Sequence, residues 1–189
     1  MIMECLRGAV SISHFFLRER IRVGDVVVDA TCGNGHDTLF LAKLVGADGK
    51  VWAFDVQKEA LVNTRRLLAD AGCLDRVEIV AAGHEHITEF VGVPLRAVVF
   101  NLGYLPGSDK NLTTRPEETL AAIEQATRLL LPGGVVVICV YTGHPGGAEE
   151  GKAVERWAAA LPCKAYNAWV CRQPNQAPTA PHLVLVEKV

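Results

Sequence analysis

A chain of 189 residues, half of them hydrophobic and 21% charged, carries enough apolar surface for one packed α/β domain and too much for a disordered chain. Its formal net charge of −2 excludes a general attraction to nucleic acid, so an RNA ligand would have to be held by a local basic patch. Six cysteines, at positions 5, 32, 73, 139, 163 and 171, form no Cys-x-x-Cys pair and match no zinc-ligand spacing, so no metal site is expected. Cys139 lies within an apolar run, where cysteine acts as a small hydrophobe, and unpaired thiols point to a reducing, cytoplasmic setting.

Residues 1–22 read as an amphipathic helix leading into the core. The stretch after Arg7 contains His14 and two serines, runs into Arg18-Glu-Arg20, and has neither a small-residue cleavage site nor the length to span a bilayer. Strands are then predicted at Val26–Ala30, Val51–Asp55, Val77–Ala81, Leu95–Asn101 and Gly134–Val140. Helices are predicted between them at Asp37–Val45, Lys58–Ala71, His86–Phe90 and Pro116–Leu131. In the last of these, Leu120, Ile123, Thr127 and Leu130 share a stripe, Pro116 suits a first turn, and Pro132-Gly-Gly134 stops the helix. A helix over Ala148–Leu161 and two strands, Cys163–Cys171 and Leu183–Val189, complete the chain. Apolar strands alternating with helices imply a parallel sheet covered on both faces, whereas the last two strands, with no helix between them, should pair antiparallel. The expectation is a single domain over residues 1–189. It has a Rossmann-like, seven-stranded, mostly parallel sheet with an antiparallel last strand, as in class I methyltransferases.

Open α/β sheets bind ligands beyond the carboxyl ends of their strands. Asp29-Ala-Thr-Cys-Gly33-Asn34-Gly35 follows the first strand, with Asp37 and Thr38 opening the next helix. The glycines permit a tight turn and close backbone approach to a ligand. Thr38 stands where a dinucleotide-binding loop carries its third glycine, and a carboxylate at Asp29 would repel phosphate. It suits the ammonium of S-adenosyl-L-methionine (SAM), the expected cofactor. Asp55, about twenty residues after Gly33, can accept both ribose hydroxyls, with Gln57 beside it and His84 near the adenine.

The fourth strand ends in Asn101-Leu102-Gly-Tyr104-Leu-Pro106, similar to the Asn-Pro-Pro-Tyr of amine-methylating enzymes in its first and fourth positions. An amine attacks the methyl in line, so its hydrogens must be held aside. The Asn101 oxygen can accept them, Leu102 adjoins the cofactor, and Tyr104 can stack on a flat base. In the next loop Asp109 can orient or deprotonate an ammonium and Lys110 can meet a phosphate. Tyr141 and His144, after the fifth strand, are candidates for substrate contact and for a base or donor.

These motifs resemble the YtqB/MnmM family. The segments are Asp29 to Thr38, Ala53 to Gln57, Phe100 to Pro106, Asp109-Lys110, Gly143-His-Pro145, Asn175 to Pro181 and Val186-Glu-Lys188. The resemblance implies methylation of the aminomethyl group of 5-aminomethyl(-2-thio)uridine at wobble position 34 of tRNA, with SAM as donor and a homodimer as the assembly. The chain departs from the family pattern at Thr142 (histidine), at Ser108 (glycine) and in an Ala-Pro for Pro-Pro near Pro181. A small-molecule methyltransferase and a non-catalytic SAM-binding protein are the alternatives that the residues leave open.

Overall fold

Each Val- and Ile-rich run becomes a strand of one sheet in the computed structural model, which describes residues 8–103 and 114–189. The strands are β1 (Val26–Asp29), β2 (Lys50–Phe54), β3 (Val77–Val80), β4 (Leu95–Leu102), β5 (Leu130–Val140), β6 (Tyr166–Cys171) and β7 (His182–Lys188). Their order is β3-β2-β1-β4-β5-β7-β6, so the winding reverses beside β1. All neighbours pair parallel except those of β7, which runs antiparallel to both β5 and β6. The expected seven-stranded sheet with one antiparallel strand is the observed one.

Side chains alternate across the strands, and both faces are apolar. Val27, Val99, Val135 and Val137 face one layer with Leu17, Leu41 and Leu68. Those three leucines come from α1 (Ala9–Arg20), α2 (His36–Val45) and α3 (Lys58–Asp70). Val28, Phe100, Val136 and Ile138 face the other layer with Ile87, Ile123 and Val154. These belong to α4 (Ile87–Phe90), α5 (Pro116–Leu129) and α6 (Gly147–Ala159). Among the described residues no helix is long and apolar enough to cross a membrane.

Two departures from the sequence expectation have physical causes. The buried stripe of α5 is Thr119, Ala122, Ile123, Ala126 and Thr127, rotated from the expected one. Its threonines are tolerated because their hydroxyls donate to Glu150 Oε1 (2.6 Å) and to the Ile123 carbonyl (2.7 Å). The helix also ends at Leu129, and β5 begins at Leu130, ahead of Pro132-Gly-Gly134. A register shift between Leu95 and Ala97 absorbs the irregular segment.

Leu41 is fully buried where α2 meets the sheet, so Leu41→Ala should cost about 3 kcal/mol in urea unfolding. Val62→Ala, at a position 66% exposed, should change stability by no more than about 0.5 kcal/mol.

Candidate active site

The turn after β1 is held from three sides. Cys32 N–H donates to the Phe54 carbonyl (2.9 Å), Gly33 N–H donates to Asp55 Oδ2 (3.0 Å), and the Thr64 hydroxyl donates to the Gly33 carbonyl (2.8 Å). Gly33 and Gly35 have φ of 51° and 84°, the left-handed region that favours glycine. A Cβ on Gly35 would stand 2.8 Å from Thr64 Oγ1 and 2.9 Å from Thr64 Cα, so the loop and α3 touch through a missing side chain. The Gly35 carbonyl then accepts from Leu39 N–H (2.8 Å) to begin α2. Asn34 is braced by Asn63, whose Nδ2 donates to its side-chain oxygen (3.1 Å).

Asp29 and Thr38 turn inward, which corrects their expected role as direct contacts. Asp29 is fully buried; its Oδ1 accepts from Thr31 N–H (3.2 Å) and its Oδ2 from the Thr38 hydroxyl (2.6 Å). Burial and the nearby Asp37 charge push its carboxyl up to about 7, against the lowering pull of those two hydrogen bonds. The pair braces the loop from beneath, so its influence on a ligand runs through the loop backbone. Leu102 is likewise buried in the core, leaving its main chain as the part able to meet a cofactor.

Asp55 stands at the end of β2, with one oxygen on Gly33 N–H and the other accepting from Gln57 N–H (2.9 Å). Each oxygen keeps a lone pair for a ribose hydroxyl. His84, after β3, meets Phe100 edge-on at 5.7 Å. Burial holds its imidazole below the usual value, so it is neutral, and its Nε2 is buried with no hydrogen-bond partner among the described residues.

Asn101 is fixed by two hydrogen bonds, one to the loop and one to α2. Its backbone N–H donates to Thr31 Oγ1 (2.7 Å), and its Nδ2 donates to Asp37 Oδ2 (2.7 Å). The side-chain oxygen is buried and has no partner among the described residues. Asp37 is therefore an orienting group rather than an open one, and its second oxygen takes His14 Nε2 (2.8 Å). Burial would raise its carboxyl, but the hydrogen bonds from His14 and Asn101 outweigh that and hold it below the usual range.

Gly103 has φ 155°, and a Cβ there would lie 3.6 Å from His144 Nε2 and 3.7 Å from Tyr141 Cβ. The exits of β4 and β5 thus bring Asn101, Tyr141 and His144 into one neighbourhood. Burial first, then the charges of Cys139 and Asp37, push the Tyr141 phenol up to about 12, so it stays protonated. Thr114 N–H donates to the Gly103 carbonyl (3.1 Å), and Thr114 and Thr119 both donate to the buried Glu150 (2.7 and 2.6 Å). Tyr104, Asp109 and Lys110 lie outside the described residues.

The donor set fits SAM. Two buried polar atoms that lack partners among the described residues, His84 Nε2 and Asn101 Oδ1, stand at the carboxyl ends of β3 and β4. The glycine turn and Asp55 lie between them in strand order. Sequence reasoning missed His14, Thr31, Thr64 and Glu150, whose partners are distant in the chain. A lone histidine in the apolar stripe of α1 was the one available signal.

Ionised Asp29 is disfavoured in the folded state, so its stabilising contribution is complete below about pH 4 and is lost as pH rises through about 7. In urea unfolding without ligand, Asp29→Asn should gain on the wild type between pH 5 and pH 8; a constant difference would contradict the assignment. Gly35→Ala should weaken SAM binding by at least about tenfold in calorimetry, since Thr64 and the left-handed backbone both oppose it.

A family model described as "Putative rRNA methylase" matches residues 51–187. A chloroplastic tRNA (mnm(5)s(2)U34)-methyltransferase from Arabidopsis thaliana is 41% identical over 194 residues, covering 96% of this chain and 70% of that protein. The crystal structure of a "putative rRNA-methylase" from Clostridium thermocellum superposes with a TM-score of 0.95 at 39% identity, covering 98% of this chain and all of that one. A "putative methyltransferase" from Streptococcus mutans in complex with SAH gives 0.89 at 36% identity, again over 98% of this chain and all of that one. The chain belongs to this methylase family and is a SAM-dependent methyltransferase.

Proposed function

We propose that the chain methylates the exocyclic amine of 5-aminomethyl(-2-thio)uridine at the wobble position of tRNA. The observation that carries the acceptor chemistry is the Asn101 carboxamide. Its Nδ2 is committed to Asp37, so the unpartnered Oδ1 is an acceptor, and an amine brings N–H groups to satisfy it. The name of the Arabidopsis relative, 41% identical, gives mnm(5)s(2)U34 of tRNA, the nucleoside that this transfer would yield.

SAM, when bound, supplies an electrophilic methyl: the nitrogen–carbon bond forms as the carbon–sulfur bond breaks, and the electron pair stays on sulfur. The glycine turn and the amino end of α2 would hold the methionine part, Asp55 the ribose and His84 the adenine side. Asn101 Oδ1 holds an amine hydrogen aside, so that the nitrogen lone pair is free to face the methyl. The proton released from nitrogen passes to a base, for which Asp109 and His144 are the candidates. Tyr104 and Tyr141 would pack or hydrogen-bond the base, and Lys110 would meet a phosphate. The cysteines among the described residues are free and three of them are buried, which suits a cytoplasmic or other reducing compartment, and a homodimer completes the reading.

Nucleoside mass spectrometry of tRNA from a strain lacking the gene should show aminomethyluridine accumulating and its methylated product gone; unchanged nucleosides would sink the tRNA reading. With purified enzyme, Asn101→Ala should lower turnover by about a hundredfold or more while SAM affinity stays within about threefold. Sedimentation of the wild type should give twice the chain mass.

A further inference from the structure

Three side chains from three elements form one line: His14 on α1, Asp37 at the start of α2 and Asn101 at the end of β4. His14 Nε2 meets Asp37 Oδ1 at 2.8 Å, and Asn101 Nδ2 meets Asp37 Oδ2 at 2.7 Å. The histidine is itself locked, because its ring stacks on Phe40 at 3.8 Å with 9° between planes. The Arg18 guanidinium lies over that same Phe40 ring, 5.2 Å from its centre. At the far end, the Asn101 backbone is pinned to Thr31.

We propose that His14 is a positioning residue for methyl transfer: through Asp37 it fixes the carboxamide of Asn101 so that Oδ1, not Nδ2, faces the acceptor nitrogen. This rests on the amine-methylation reading above. An ionised carboxylate only accepts, so it can be met by Nδ2 alone. A protonated Asp37 could instead donate to Oδ1, and the carboxamide would turn its NH2 group toward the acceptor. An NH2 group cannot hold an amine hydrogen, so catalysis would fall while the cofactor site stayed whole.

The ionisation of Asp37 depends on what surrounds it. Burial opposes it; the bonds from His14 and Asn101, the charge of His14 and that of His36 on its own helix favour it. Asp29 of β1 faces it as a like charge, and Cys139 and Tyr141 of β5 feel its field. Of these, His14 is the group that supplies both a hydrogen bond and a charge from another element. Its removal should raise the pH at which Asp37 gives up its proton, and activity should then be lost on the acid side at a higher pH than in the wild type.

The test uses His14→Phe, which keeps a flat ring against Phe40 but donates nothing, and His14→Gln, which keeps a donor. His14→Phe should lower kcat by about 10- to 100-fold, leave SAM affinity within about threefold and shift the acid limb of the pH profile upward. His14→Gln should restore kcat to within about threefold of wild type. Wild-type kcat and acid limb in the Phe variant, equal impairment of the Gln variant, or SAM affinity falling in step with kcat would each overturn the proposal. Should the Phe variant fail to fold, His14→Gln is compared with His14→Glu, equal in length but without a donor; a Gln variant no better than Glu overturns it equally. The side-chain NH2 resonances of Asn101, followed without any acceptor, must move between wild type and the donor-less variant, and unmoved resonances also reject the relay. Absence of wild-type turnover on wobble uridine would count against the substrate alone.

Discussion

The pairing of β1 with β4 is the constraint on which the site depends. These neighbours leave the sheet where its winding reverses, so the connections that follow them diverge and leave a crevice. Asp29 lies opposite Val99, which sets Asn101 just beyond the end of β1. Alternation along both strands then turns Asp29 and Asn101 to the same face of the sheet, the one that α1 and α2 cover. Thr31 completes the join by tying its own backbone to Asp29 and its hydroxyl to Asn101. A one-residue slip of either strand would send Asn101 to the opposite face and dissolve the arrangement.

The same geometry crowds three carboxylates, Asp29, Asp37 and Asp55, around one turn. They escape mutual repulsion in different ways. Asp29, buried, yields its charge most readily, at about pH 7. Asp37 keeps its charge through His14 and Asn101. Asp55 accepts two backbone amides. Such a pocket disfavours phosphate and favours a cation, and SAM carries positive charge on both its sulfonium and its ammonium. Electrostatics and the absent third glycine therefore point the same way, against a dinucleotide.

Strand periodicity and strand ends made the seven strands and the positions of Asp55 and Asn101 legible, because both signals are local. Ligand-facing direction was less so. Asp29 occupied the expected place, yet its carboxylate points beneath the loop, since a short side chain between Thr31 and Thr38 finds its partners there first. The stripe of α5 was read as Leu120, Ile123, Thr127 and Leu130; the buried threonines are the expected Thr127 and, in the place given to Leu120, Thr119. One of them depends on Glu150, 31 residues away, a partner that no window of sequence exposes. His14 stood out as a lone histidine, but its role was hidden for the same reason: its meaning lies in Asp37, 23 residues on, and in a helix docked across the sheet.

Two halves of the sheet thus take different tasks. The ends of β1, β2 and β3 offer a turn, a carboxylate and a neutral imidazole, which suit a nucleoside and select no acceptor. The ends of β4 and β5 hold Asn101, Tyr141 and His144, and the supports around them come from elsewhere: Glu150 of α6 anchors Thr114 and Thr119, and His14 of α1 anchors Asp37. A buried carboxylate satisfied by hydroxyls, and an amide aimed by a carboxylate, are expensive arrangements that apolar packing would replace at no loss of fold. Asp29, buried beneath the glycine turn on the hydroxyl of Thr38, is a third such arrangement, so both halves of the sheet give up stability to place their groups.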